Sequence, residues 1–301
     1  MTVIVRMRTL AATGILSCVT ALTACTINVD NQGFIERVEK RFAVEGVADL
    51  NLYTFDGRVE VRGWDRDDVV VEIEKRAEDK EAVDKIEVLA EQTGQRIKVD
   101  VRHTGSRTFV GFGSFTSPSA RLIVNVPLKT NVTVRTGDGS MLIERVEGKL
   151  ELRSGDGSIR AIETSGDLLI ESGDGSVTIE DVVGRVEART DDGSIRLSGV
   201  PTALRARSGD GSIVLRIRRG AVMAEDWMAA TSDGSISVEL ADDFSAEIVA
   251  EPRGSRVRSE LELADQSGGT RDEPTLRGRL GTGGKRFILR TEDGSIRLTR
   301  Y

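Results

Sequence analysis

The stretch Leu150-Glu151-Leu152-Arg153-Ser154-Gly155-Asp156-Gly157-Ser158-Ile159-Arg160-Ala161 decides the fold. Apolar and polar residues alternate with period two on both sides of Asp156-Gly157, which describes two half-buried strands joined by a reversal. The tripeptide Asp-Gly-Ser recurs at Asp138, Asp156, Asp174, Asp192 and Asp210, each 18 residues after the last, and returns at Asp233 and Asp293. One unit on, Leu168, Ile170, Ser172, Val177 and Ile179 occupy the same offsets, then Val186, Ala188, Thr190, Ile195 and Leu197, then Leu204, Ala206, Ser208, Ile213 and Leu215. Val132 to Ile143 heads the run, and an imperfect opening coil spans Leu50 to Val61 around Asp56-Gly57. Asp-Gly is read here as supplying the positive-φ positions of a tight turn, and a second turn falls at Gly148, Gly166, Gly184 and Pro201-Thr202.

One such unit cannot close a core, so the units must stack. Asp-Gly between alternating strands also suits an antiparallel hairpin meander. A parallel β-solenoid accounts better for the same residue class recurring at every offset. It places the hydroxyl column Thr136, Ser154, Ser172, Thr190, Ser208, Thr231 and Thr291 in a ladder of about 4.8 Å spacing. The expected fold is therefore all-β: a parallel β-solenoid, β-helix-like, of 18-residue two-strand coils with Asp-Gly-Ser turns. Its regular coils cover 132–221, with an insertion at 241–285 and a terminal coil at 286–301. Less regular strands are expected at Val69 to Ile73, Ile86 to Ala90, Ile97 to Val101 and Leu122 to Val126. The charged Glu78 to Lys85 stretch reads as a short helix or solvated loop, and Gly111-Phe112-Gly113-Ser114-Phe115 as a flexible excursion.

The chain has 301 residues, 39% of them hydrophobic and 30% charged, which fits a folded protein rather than a disordered one. Its net charge of −7 and 4% aromatic content argue against a nucleic-acid partner, which requires a cationic surplus and stacking rings. One histidine and two cysteines cannot supply a four-ligand zinc site.

Arg6 and Arg8 precede an apolar stretch, Thr9 to Ala24, too short for a comfortable transmembrane span; this is the layout of a secretory signal. It ends in Leu22-Thr23-Ala24-Cys25, which resembles the bacterial lipobox. That resemblance implies cleavage before Cys25, a diacylglycerol thioether on its sulfur, and acylation of the new amino terminus with a fatty acid such as palmitate. Residues 1–24 are then a signal peptide, Cys25 to Gly33 the lipidated cysteine and a polar tether, and 34–301 a single domain. Cleavage leaves 277 residues and, with Arg6 and Arg8 gone, a charge of −9. Two or three acyl chains anchor stably where one is marginal. Thr26, in place of the aspartate associated with inner-membrane retention, favours the outer membrane of a host that has one.

The run of Gly-Asp-Gly-Ser coils, the Leu50 to Val61 coil and the closing Gly283-Gly284-Lys285-Arg286-Phe287 through Ile296 resemble the bacterial putative-adhesin family of β-strand-repeat domains of unknown function. That resemblance covers roughly Val38 to Leu298. It implies a secreted or lipid-anchored solenoid-like domain with no catalytic residues to carry over.

The aspartates Asp138, Asp156, Asp174, Asp192 and Asp210 form a column of like charge that needs a neutraliser. Calcium is one candidate, and Arg135, Arg153, Arg189 and Arg207, three residues upstream, are the other. Gly281-Thr282-Gly283-Gly284-Lys285 lacks the upstream glycine and following Ser/Thr of a phosphate loop. His103 is expected as an exposed or capping residue, and Trp64 and Trp227 as end-coil packing. No catalytic residue and no cofactor is assigned. The expected role is a non-catalytic envelope scaffold whose partners are a membrane, through Cys25, and a polysaccharide or protein. A periplasmic structural or stress-linked role is the alternative, and a polysaccharide-active enzyme the remotest reading.

Overall fold

In the computed structural model, which describes residues 24–30, 33–105 and 117–301, strands pair in parallel at an offset of 18 residues. Leu150, Leu152 and Ser154 lie beside Leu168, Ile170 and Ser172 on one ladder. Met141 and Ile143 lie beside Ile159 and Ala161 on a second. The strand before each Asp-Gly turn belongs to the first ladder and the strand after it to the second, so the chain is an all-β, solenoid-like stack and not a meander. Val177–Thr190 and Ile195–Ser208 continue through the corner into the next coil, with a register shift between Ile179 and Val182. The segment up to residue 23, read from the sequence as a signal, and Gly111 to Phe115, read as a flexible excursion, lie outside the described residues.

The inward residues of both ladders form one core, in which Leu152, Ile170, Ile179, Ala206 and Leu215 are fully buried. Each such aliphatic side chain contributes about 1.5–3 kcal/mol on burial. Toward the carboxyl-terminal end the core becomes aromatic. Trp227 packs on Phe244 and Phe287 at ring separations of 5.4 and 5.5 Å, and its indole N–H donates to the Thr202 carbonyl. Trp64 is only half-buried, with Arg66 over its ring.

The order of coils departs from the order of the chain at both ends. Ala48–Thr54 sits between Arg96–His103 and Thr130–Thr136, with Leu50 beside both Ile97 and Val132. Arg286–Thr291, expected as the terminal coil, sits between Trp227–Thr231 and Ala246–Pro252, with Phe287 beside both Trp227 and Ile248. Ten coils stack in this way among the described residues, giving an axis of about 43 Å. The stretch read as an insertion supplies the last coil, Ala246–Pro252 and Val257–Ser259, and then the antiparallel cap Leu276–Leu280 and Ala264–Ser267.

The opposite end is covered by antiparallel strands. Ile86–Thr93 pairs with Arg96–His103. Asp68–Ala77, then Gly33–Ala43, then Ala24–Asp30 extend the second ladder. Cys25 therefore lies on a strand, opposite Val38, where the sequence suggested a tether. The charged stretch 78–85 contains a short helix, Lys80–Asp84, capped by the Asp79 carboxylate.

The turn glycines are needed for a reason other than the one expected. Gly139, Gly157, Gly175, Gly193 and Gly211 do not have positive φ; the left-handed residues lie at the second corner, at Arg145, Glu163 and Asp181, again 18 apart. A Cβ on Gly157 would instead stand 2.1 Å from the Gly139 carbonyl oxygen, and one on Gly175 2.2 Å from that of Gly157. Glycine is required because backbone stacks directly on backbone. The hydroxyl column serves the same contact. Ser154 Oγ accepts from the Gly157 N–H at 3.0 Å and donates to the Gly139 carbonyl of the previous coil at 3.0 Å. Thr190 and Ser208 repeat both bonds. The hydroxyls bridge turn to turn rather than bonding one another.

Candidate functional site: an arginine row beside the turn column

Exact stacking turns sequence positions into rows. On the outer face of the first ladder one row reads, in spatial order, Tyr53, Arg135, Arg153, Glu171, Arg189, Arg207, Ala230, Arg290 and Glu251. Each side chain points outward because its neighbours in sequence fill the core. The row borders the turns, where small residues such as Gly155 and Gly173 leave room. Two open cavities result on the same line. One of about 620 Å³ lies over Arg135, Arg153, Glu171 and Arg189, and one of about 470 Å³ over Arg207, Ala230, Arg290 and Arg253. Ala230 accounts for the second, since a short side chain interrupts a row of long ones.

The arginines pair along their own ladder and not with the turn aspartates, which corrects the neutralising role expected for them. Arg135 and Arg153 share Glu151 at 3.0 and 3.4 Å, Arg153 also reaches Glu171 at 2.8 Å, and Arg290 reaches Glu251 at 2.6 Å. Among the described residues the Arg207 side chain donates only to Met228 Sδ, at 3.6 Å. Arg189 alone reaches an aspartate, Asp191, at 3.5 Å, and that is the residue before the turn aspartate.

Asp138, Asp156, Asp174, Asp192 and Asp210 remain exposed at the turns. Asp174 above all, then loss of hydration, Asp210 and Asp191 push the Asp192 carboxyl above its ordinary value. Among the described residues no group of three or more His, Cys, Asp or Glu side chains is arranged to hold a metal ion. His103 is half-buried against the Phe55 ring at 5.6 Å. Among the described residues no helix is long and apolar enough to cross a membrane.

The family described as Toastrack DUF4097 matches residues 47–299, and the chain belongs to it. No curated protein matches. Similar solved structures include a putative adhesin from Bacteroides fragilis, 12% identical, covering 87% of this chain and 96% of its own with a TM-score of 0.42. A putative adhesin from Parabacteroides merdae is 10% identical, covering 87% of this chain and 95% of its own at 0.37. A putative cell adhesion protein from Clostridium sporogenes is 12% identical, covering 87% and 99% at 0.28.

Proposed function

We propose that this member of the Toastrack DUF4097 family is a lipid-anchored, non-catalytic scaffold of the bacterial cell envelope, which binds a polymer or protein partner along its arginine-rich face. The observation that carries the reading is the shared register of the first-ladder strands where they approach the turns, which sets the row from Arg135 to Arg290 and both cavities on one axial line. A linear partner can meet the same chemistry repeatedly along such a line, so that weak contacts add. The carboxylates beside the row support a binding role over catalysis, since Glu151, Glu171 and Glu251 are each held by arginine instead of standing as an acid and base pair.

The lipobox-like Leu22 to Cys25 supports anchoring through acyl chains on Cys25. The strand Ala24–Asp30 forms the outermost strand at one end of the second ladder, so an anchor there would leave the cap built by Ala264–Ser267 and Leu276–Leu280 farthest from the bilayer. Adhesion to a partner outside the cell requires that this far end face outward. Protease treatment of intact native-host cells, with a periplasmic marker as control, tests it. Loss of the protein with the marker intact is the expected result. Protection until the envelope is permeabilised would remove the adhesive role and leave an inward-facing structural one.

A further inference from the structure

A second cluster of arginines lies on the second ladder, at the end that carries Cys25, and it is built around a buried carboxylate. Glu60 points outward from its strand yet is 3% exposed, because arginines fold across it. Its Oε1 accepts from Arg121 at 2.7 Å and faces Arg58 Nε at 3.1 Å, and its Oε2 accepts from Arg62 at 3.0 Å. Glu74, one strand beyond that of Arg121, holds Arg37 at 2.9 Å and Arg76 at 3.4 Å. Arg62 also meets Glu144 at 3.1 Å. Five guanidinium groups thus share three carboxylates.

The surplus is concentrated in one place. A cavity of about 260 Å³ is lined by Gly57, Arg58, Glu74, Arg76, Ser119 and Arg121, three cations against one anion. A guanidinium carries five N–H donors. Arg58 uses its Nε on Glu60, leaving both terminal nitrogens; Arg121 uses one terminal nitrogen, and Arg76 has a single long bond. The buried Glu60 fixes two of the three and leaves most of their donors unused. Fixed, donor-rich guanidinium forks match the oxygens of a tetrahedral oxyanion, and the cavity admits a small headgroup but not a coiled polymer.

We propose that Arg58, Arg76 and Arg121 bind the phosphate group of a phosphate ester. The site stands apart from the arginine row of the first ladder, and its fate does not depend on the scaffold reading. Arg121 lies three strands from the strand of Cys25, about 14 Å along the sheet. An anchored molecule would therefore hold the cavity near the headgroup layer, while a soluble ester could reach the same cavity from the aqueous side.

The test is calorimetric titration of the purified full-length chain, in detergent, with glycerol 3-phosphate at low salt. Saturable binding is expected, weakened about tenfold by Arg76→Gln, lost in Arg58→Gln/Arg76→Gln, and retained in Arg216→Gln, which pairs with Glu239 away from the cluster; circular dichroism checks that each variant is folded. Displacement of bound glycerol 3-phosphate by phosphatidylglycerol vesicles would assign the site to a lipid headgroup. Binding that the vesicles leave intact would assign it to a soluble ester. Absence of saturable binding, or binding undiminished in the folded double variant, would overturn the proposal.

Discussion

Replacing Ser154 by alanine removes a hydroxyl that joins two coils at once. The Gly157 N–H loses its acceptor and the Gly139 carbonyl loses its donor, both at 3.0 Å and both buried. An unsatisfied buried backbone group costs about 1–3 kcal/mol. With partial relaxation, Ser154→Ala should destabilise the protein by about 2–4 kcal/mol. Threonine already makes the equivalent bonds at Thr190, so Ser154→Thr should fall within about 0.5 kcal/mol of the parent. Urea unfolding reports the global effect. Because coils touch only their neighbours, the loss is local as well, and amide exchange at Gly157 should accelerate in the alanine variant alone. An alanine variant as stable as the threonine variant, with unchanged Gly157 exchange, would refute the claim that the hydroxyl column holds the turns together.

Gly175→Ala would press a methyl group onto the Gly157 carbonyl at 2.2 Å and should cost at least about 3 kcal/mol. Gly46→Ala, at φ +87° with nothing within 4 Å, should cost about 1 kcal/mol from backbone conformation alone; equal urea midpoints would contradict the stacking argument. Trp227→Ala opens the aromatic end of the core and should cost about 3–5 kcal/mol, read by the same unfolding assay. Burial pushes the Glu60 carboxyl up, but the Arg121 hydrogen bond and charge, with Arg58 and Arg62, outweigh it and leave the value below the ordinary 4.5. Its contribution is thus present above pH 4.5 and lost as pH falls through the depressed folded value. Glu60→Gln should flatten that acid limb in urea midpoints measured against pH, and an unchanged limb would show that Glu60 does not carry it.

The repeat was legible in the sequence because stacking imposes one residue class per offset, as Leu150, Leu168, Val186 and Leu204 show. Hydrophobic periodicity identifies strands but not which strand lies beside which. The placement of Ala48–Thr54 and Arg286–Thr291 inside the stack depends on long-range pairing that their own sequences do not encode differently from any other coil. A glycine repeated at Gly157 and Gly175 follows equally from positive φ and from backbone contact, and only the structure separates the two. The arginine row was visible as Arg135, Arg153, Arg189 and Arg207. Its partners were not, because they lie across coils. The Glu60 cluster left one readable trace: Arg58, Glu60 and Arg62 alternate on one strand face. Arg121 and Arg76 join it only through pairing across the end cap.

Every functional row in this account depends on coils stacking in parallel, and one spin-label distance tests that directly. Thr133 and Arg205 both face outward on the first ladder, four pairings apart through Glu151, Leu169 and Glu187. With Cys18 and Cys25 replaced by serine and labels placed at 133 and 205, pulsed electron resonance should give about 19 Å. An antiparallel meander would put both strands of every repeat into one sheet and separate the same labels by about 38 Å, a result that would contradict the solenoid and the continuous face built on it.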